Sequence, residues 1–451
     1  MPRHLIPFIG LALICAFVAC SKSPSPAAPT SPTNPVTPPP VNPTQPAKTV
    51  TMNLNLLIDS DQTGSLTYEF IVSQAGGQVL LDTVTTSHGP LLATILAADS
   101  LVDVTTIARL PSDGSIYIYA YKGVNPSAWK TSVPLPQIQI PFPGTQSSAS
   151  GEVSFTNVPP EPADAQANSG YFVFNSYHTE AWLYNYTPAS NNLTVNYTYY
   201  PNFYNYLLLP NLGLYKLYKP SATFESIDLT TMDTTTTIPL NLPAGFVMAQ
   251  GFGTVDSNIY LSQLMGIPDT TDLSKSVQLG PSVFMTVNNE ANTYFQIPKT
   301  PMEKYETQIS GYNSVNDAIY FYSYGNSVAN TPVFPDANSF GTGARQSDSF
   351  AIKFSGTPPT YYSTQWRTTT YVSMVLYASP DSTVLHPTTY LNNLKSKLLT
   401  GVSLSGMFCA TLQLETVAGF NYNSFLNYTS NATLRASQRV SSASLLYRAY
   451  Y

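Results

Sequence analysis

Ile116-Tyr117-Ile118-Tyr119-Ala120-Tyr121 is the run that decides the fold. Aliphatic and aromatic residues alternate in it with period two. That period belongs to a β-strand, where successive side chains point to opposite faces. Two more runs repeat the pattern. Trp182, Tyr184 and Tyr186 alternate with Ala181 and Leu183, and Tyr320, Tyr322 and Tyr324 alternate with Ile319 and Phe321. Val50 to Ile58 sets Met52, Leu54 and Leu56 against Thr51, Asn53 and Asn55. Further strands are expected over 66–73, 78–86, 101–108, 115–122 and 152–158, separated by Gly- and Pro-containing turns.

The composition agrees. Only 10% of the 451 residues are charged, and 32 are tyrosine. Tyr, Thr and Val favour strands, while Pro and Gly punctuate turns. The expected class is all-β, as tandem β-sandwich domains (Ig-like or transthyretin-like) with a few short helices. At roughly 150 residues per domain, about three are expected. Their predicted bounds are 49–160, 166–299 and 300–451, with Pro159-Pro160-Glu161-Pro162 as a linker. Thr300-Pro301-Met302-Glu303 reads as a capping box opening a short helix at the last boundary. Residues 387–399 place Leu391, Leu394 and Leu398 on one helical face, closed by Gly401.

The N-terminus carries an address. Arg3 is followed by an apolar stretch from Leu5 to Val18, too short and too interrupted by Pro7 and Gly10 for a membrane span. It ends in Phe17-Val18-Ala19-Cys20. This resembles the lipobox of bacterial lipoproteins of the Bacteroidota type, with Phe17 in place of the usual Leu. The resemblance implies that residues 1–19 are a signal peptide and that Cys20 is acylated, with chains such as palmitate. The expected partner is then a membrane, reached through a lipid anchor. Residues 21–47 hold ten prolines, and the 20–48 segment reads as a stiff tether reaching about 80 Å. Ser21 follows the cysteine where a retention signal would place Asp, so the outer membrane is expected. Whether the head faces the periplasm or the cell surface stays open.

Asn175-Ser176 precedes the Trp182 run, and Asn313-Ser314 precedes the Tyr320 run, at the same spacing. The last domain is therefore expected to repeat the second. An Asn-Ser turn leading into an alternating strand is similar to a family of uncharacterised β-sandwich repeat lipoproteins. That family places Pro-Asp where this chain has Tyr177-His178 and Val315-Asn316. It implies a β-sandwich and no catalytic residues.

The remaining residues exclude more than they assign. With a net charge of -6 and no basic block, the chain lacks the clustered cations that phosphate binding needs, so no nucleic-acid partner is expected. Among the three cysteines, Cys15 lies in the leader and Cys20 at its end. Cys409 is then unpaired and expected to be a buried thiol. His88, His178 and His386 have no metal-site spacing, and no metal or cofactor is expected. Asp59-Ser60-Asp61 starts like a calcium loop but reaches Phe70 where an acid is needed. Ser127 and Lys130 fit SxxK without its companion motifs, and Gly401-Val402-Ser403-Leu404-Ser405 is not a nucleophile elbow. Glu180, Glu225 and Asp228 are acids that nothing joins into a hydrolytic pair. No enzyme template is present.

The aromatic runs are what remains. If the aliphatic face of each strand is core, then Tyr117, Tyr119 and Tyr121, with the Trp182 and Tyr320 runs, face outward. Rings with a polar tip at about 6.6–7 Å spacing suit a glycan or an envelope protein. The expected function is non-enzymatic binding or scaffolding in the cell envelope. A carbohydrate-active or glycan-capture protein and an adhesive stalk are the alternatives.

Overall fold

The computed structural model describes residues 48–53, 66–75, 77–86, 92–97, 101–126, 148–160, 170–177, 180–186, 192–201, 203–248, 263–271, 276–281, 283–285, 291–313, 317–335, 340–342, 350–354, 357–369, 371–430 and 439–448. The leader, Cys20, the tether, the 59–64 loop and the Ser127–Lys130 motif lie outside them.

The protein is all-β. In chain order the strands begin with β1 (Lys48–Asn53), β2 (Thr67–Gln74), β3 (Val79–Thr85), β4 (Leu92–Ala97), β5 (Val102–Arg109), β6 (Ile116–Val124) and β7 (Ala149–Thr156). Next come β8 (Gly170–Tyr177), β9 (Glu180–Tyr186), β10 (Asn192–Tyr199), β11 (Asn205–Leu209), β12 (Leu214–Tyr218), β13 (Phe224–Asp228) and β14 (Asp233–Pro239). They are followed by β15 (Phe246–Met248), β16 (Gln263–Ile267), β17 (Val277–Pro281), β18 (Val283–Met285), β19 (Ala291–Pro298), β20 (Lys304–Asn313) and β21 (Ala318–Gly325). The last are β22 (Phe340–Thr342), β23 (Phe350–Phe354), β24 (Tyr361–Arg367), β25 (Val372–Ala378), β26 (Val384–Leu385), β27 (Phe408–Val417) and β28 (Ser442–Arg448). Helix α1 (Pro387–Leu394) follows β26, and α2 (Tyr422–Ser430) follows β27. The strands expected over 66–73, 78–86, 101–108, 115–122 and 152–158 coincide with β2, β3, β5, β6 and β7; the one expected over 50–58 overlaps β1 at its first four residues, and the rest of it lies outside the described residues.

The domain order differs from three sandwiches in sequence. One 13-stranded sheet runs β17-β16-β20-β21-β28-β27-β24-β25-β6-β5-β2-β3, with β15 alongside β20. It takes strands from all three expected segments. The join is a parallel pair, Val372 to Tyr377 against Ile116 to Tyr121. Conversely, β7 leaves the first segment and pairs with β10 and β13. Backbone hydrogen bonding has no sequence-distance limit, and β25 and β6 each have one strongly apolar face to bury.

Both faces of the large sheet are covered where β6 lies. Ile116, Ile118 and Ala120 join Met374, Leu376 and Trp366 under α1 and β23. Tyr121, Val104 and Val72 join Met52, Ile95 and the α2 residues Phe425 and Leu426 on the opposite face. Farther along, Ile309, Tyr305 and Leu264 pack on a second, seven-stranded sheet through Tyr206 and Leu208. Leu207 and Leu209 pack the other way, onto Val153, Phe155 and Val195. That is why Asn205-Tyr206-Leu207-Leu208-Leu209 shows no alternation: β11 is buried throughout. At Gly266, close approach forbids a side chain, since a Cβ would sit 2.1 Å from the Met302 sulfur.

Two helix expectations change. No helix opens at Thr300. The chain enters β20 at Lys304, the Met302 N–H donates to the Tyr305 hydroxyl at 3.1 Å, and Glu303 accepts from Thr270 instead. Cross-strand pairing on both sides of β20 outweighs a local cap worth about 1 kcal/mol. Helix α1 stops at Lys395, whose φ is 50°, well before Gly401. The next amides are captured elsewhere: Lys397 N and Leu398 N donate to Glu69 at 2.7 and 2.9 Å, and Ser396 Oγ donates to it as well. Cys409 is buried, takes part in no disulfide among the described residues, and donates its thiol to the Thr411 carbonyl at 3.4 Å.

Candidate functional site

The three aromatic runs meet different fates. Tyr121 is buried and stacks on Tyr377, with centroids 4.8 Å and planes 8° apart. Tyr377 leans on Tyr361, which in turn stacks on Phe425 of α2 at 5.1 Å. Tyr119 is half-buried against the same core, and Tyr117 is half-buried beside it. Burial pushes the Tyr119, Tyr121 and Tyr361 phenols up. The outward platform expected of this run is corrected at Tyr121, which is core under α2, and at Tyr119, which packs partly against that core; Tyr117 is half-buried and belongs to no core cluster. In the second run, Trp182 pairs with Phe174, Tyr184 with Phe172 and Tyr186 with Gly170 in register. The side chains of that run lie outside the described residues.

The third run is different in kind. Tyr320 and Tyr324 are half-buried, and Tyr322 is buried with 8% exposure, so none of them projects freely. Among the described residues, no helix shares a core cluster with them. Register sets Tyr324 beside Glu306, Tyr322 beside Gln308, and Tyr320 beside Ser310. Alternation in β20 sends Tyr305 and Ile309 to the core and Glu306, Gln308 and Ser310 to this opposite face.

Glu306 is buried and charged. Its carboxylate accepts from the Arg439 guanidinium at 2.8 Å and from Gln308 Nε2 at 3.0 Å. Burial pushes its pKa up, and Arg439 pulls it back. The same guanidinium lies over the Tyr324 ring, 4.6 Å from the centroid, and Lys304 approaches that ring at 6.0 Å. Two strands from β20, at the start of β17, Ser276 is 2% exposed, and its hydroxyl has no hydrogen-bond partner among the described residues. A buried ion pair, an amide and phenol rings thus lie together on one face as a polar cluster, beside the buried Met265 and Ile267 of β16.

A second acid shares this face. Glu415 of β27 pairs with Ser444, which pairs with Tyr320. It is half-buried, accepts from Gln413 Nε2 at 3.2 Å, and is pushed up to about 7 by burial. No cation bridges it among the described residues. Counting strand spacings and rises, the two carboxyls lie roughly 20 Å apart. Hydrolysis of a glycosidic bond needs about 5–10 Å, so they are not a catalytic pair. The acids picked from the sequence do not converge either. Asp228 holds Thr230 N and Asn157, and Glu225 holds Ser221. The side chain of Glu180 lies outside the described residues. Among those residues, no group of three or more His, Cys, Asp or Glu is placed to hold a metal.

Other buried acids serve the fold. Asp103 accepts from Lys122 at 2.5 Å and from Gly123 N at 2.9 Å, and Lys122 lies over the Tyr390 ring at 4.4 Å. With Glu69 they fasten α1 and its trailing turn to the sheet.

Sequence reading missed Glu306, Gln308, Arg439 and Glu415. The signal existed for the first two: Tyr305, Thr307 and Ile309 alternate with Glu306, Gln308 and Ser310. The capping-box reading at Thr300 hid it. No protein-family model matches the chain, and no curated protein matches it in sequence. Among the described residues, no helix is long and apolar enough to cross a membrane.

Proposed function

We propose that this chain is a cell-envelope lipoprotein, anchored to the outer membrane through Cys20, whose β head binds a glycan without chemistry. The contact surface is the polar face of β20, β21 and β28. The observation that carries this reading is the Arg439–Glu306–Gln308 cluster set against the half-buried Tyr320 and Tyr324 rings. Phenol rings stack on sugar faces, while amide, hydroxyl and carboxyl groups pair with sugar hydroxyls. The 20–48 tether gives the head room to reach past a membrane surface.

Glycan-array binding by the full chain tests the site, comparing wild type with Tyr324→Ala combined with Gln308→Ala. Binding should fall at least tenfold in the double variant while thermal unfolding stays cooperative. Equal binding by both proteins would remove the role of this face. Membrane fractionation of Cys20→Ser tests the anchor, with release to the soluble fraction expected. An envelope protein captured by wild type in place of a glycan would favour the scaffold alternative.

A further inference from the structure

Asp103 of β5 is 1% exposed. The register between β5 and β6 shifts beside it: Val102 faces Val124, and Val104 faces Tyr121. Lys122 and Gly123 are thereby set together against the single residue Asp103, as in a β-bulge, which re-aims side chains. Each takes one carboxyl oxygen. Lys122 Nζ donates to Oδ2 at 2.5 Å, and Gly123 N donates to Oδ1 at 2.9 Å. Gly123 has a φ of 64°, a left-handed conformation that glycine adopts freely. From the 2.5 Å contact, the Lys122 nitrogen lies roughly 3–3.5 Å from the Asp103 Cγ, the separation of a near-attack pair. Ser73 faces Asp103 from β2, and the Tyr390 ring of α1 lies 4.4 Å from the ammonium. The Tyr390 hydroxyl pairs with Thr105 at 2.6 Å, which holds α1 over the pair.

We propose that Lys122 and Asp103 condense into an intramolecular amide that cross-links β5 to β6. The ammonium passes a proton to Oδ2, which leaves a neutral amine beside a carboxylic acid. The amine nitrogen bonds to Cγ, and one electron pair of the carbonyl moves onto Oδ1, where the Gly123 N–H stabilises it. A second nitrogen proton moves to Oδ2. That oxygen departs as water with the electron pair of its bond to Cγ, and the Oδ1 carbonyl re-forms. One ammonium and one carboxylate become one amide and one water, so no other reactant enters. Fixed geometry favours the step, because held neighbours react as if highly concentrated. Burial favours the product, because two enclosed charges are costly and a neutral amide hydrogen-bonded to Gly123 removes them. The other ion pairs among the described residues each lack one requirement. Arg439 with Glu306 is buried, but a guanidinium stays protonated and is no nucleophile. Lys397 with Asp82 has an amine, but its side chain is 59% exposed. The amide would tie β5 to the strand that makes the parallel join with β25.

Trypsin digestion of the denatured full-length protein, followed by mass spectrometry, tests the bond. The expected product joins the peptide containing Asp103 to the peptide containing Lys122 and is lighter than their sum by one water. Cleavage after Lys122 should fail, because trypsin needs the free ammonium there. Lys122→Arg keeps a cation at the site and cannot condense, so its digest should release the two peptides separately and cut after position 122. A wild-type digest with Asp103 and Lys122 in separate peptides of full mass overturns the proposal. A loss of water that persists in Lys122→Arg lies elsewhere in the chain, as a succinimide would, and overturns it too. The wild-type digest is decisive by itself, so the test survives if Lys122→Arg fails to fold.

Discussion

Two tyrosine runs on one face of one sheet end in opposite circumstances. Tyr119 and Tyr121 on β6 lie under α2, inside an aromatic stack that passes through Tyr377 and Tyr361 to Phe425. Tyr320, Tyr322 and Tyr324 on β21 share that face with four strands between, but their neighbours are Glu306, Gln308, Arg439, Ser442 and Ser444. The strands themselves read alike, with aliphatic residues alternating against tyrosine. What differs is what the neighbouring strands and connections bring. The connection after β27 folds α2 over one half, and β20 lines the other half with polar groups. Tyrosine suits both, because its ring buries like phenylalanine while its hydroxyl tolerates water. The run alone therefore marks a strand and not a binding surface.

The sharpest way to break this comparison is to remove a ring from each half. Tyr361→Ala takes a fully enclosed ring from the covered stack and should cost about 4 kcal/mol in urea unfolding. A loss below about 1 kcal/mol would mean that α2 does not seal that face. On the polar half the largest effect should come from charge. Arg439→Ala leaves Glu306 buried without its cation, and breaking a buried pair costs about 3 kcal/mol. Replacing both members together, Arg439→Met with Glu306→Gln, should recover most of the loss. If the double variant is as unstable as the single one, packing and not the ion pair holds this region.

Legibility in the sequence divides along the same line. Period-two alternation located β2, β3, β5 to β7, β9 and β21, because it is a local consequence of a strand with one apolar face. Partners were not legible. β6 meets β25 and not a neighbour in sequence, and Glu69 reaches a turn 327 residues away. No local pattern encodes such pairing. β11 hid by being buried on both faces, and β20 hid behind a capping box that cross-strand bonding overrode. The candidate site was half legible. Tyr320, Tyr322 and Tyr324 were singled out, but Arg439 and Glu415 have ordinary local settings. Their role arises only when β28 and β27 are laid beside β21. The same limit explains why Tyr121 and Tyr320 could not be told apart.

Acidity offers a finer probe of the polar half. Burial pushes the Glu415 carboxyl up to about 7 in the folded protein, against an ordinary value of 4.5. The folded state therefore keeps a proton that the unfolded chain has lost. Stability should be fullest below about pH 4.5 on this account and should decline as pH rises through 7. The loss should be on the order of 2 kcal/mol by pH 8. Glu415→Gln cannot titrate, so its stability should stay flatter between pH 5 and 8. Urea midpoints across that range decide the matter, and parallel curves for the two proteins would mean that the carboxyl is as well solvated as in the unfolded chain.

Tyr324→Ala should have the smallest effect on stability and is for that reason the most informative about function. Its ring is half-buried and meets Arg439 at 4.6 Å, a contact worth about 0.5–1 kcal/mol. Glu306 keeps its hydrogen bonds from Arg439 and Gln308 in the variant, so the charge pair should survive. A Tm shift of a few degrees is then expected, against a collapse for Tyr361→Ala. The two rings sit on one face of one sheet, so local secondary structure cannot account for unequal costs. A costly Tyr324→Ala would place that ring in a sealed core like its counterparts on β6. A cheap one, combined with lost glycan binding, would make the polar half of the face a surface kept open for a ligand.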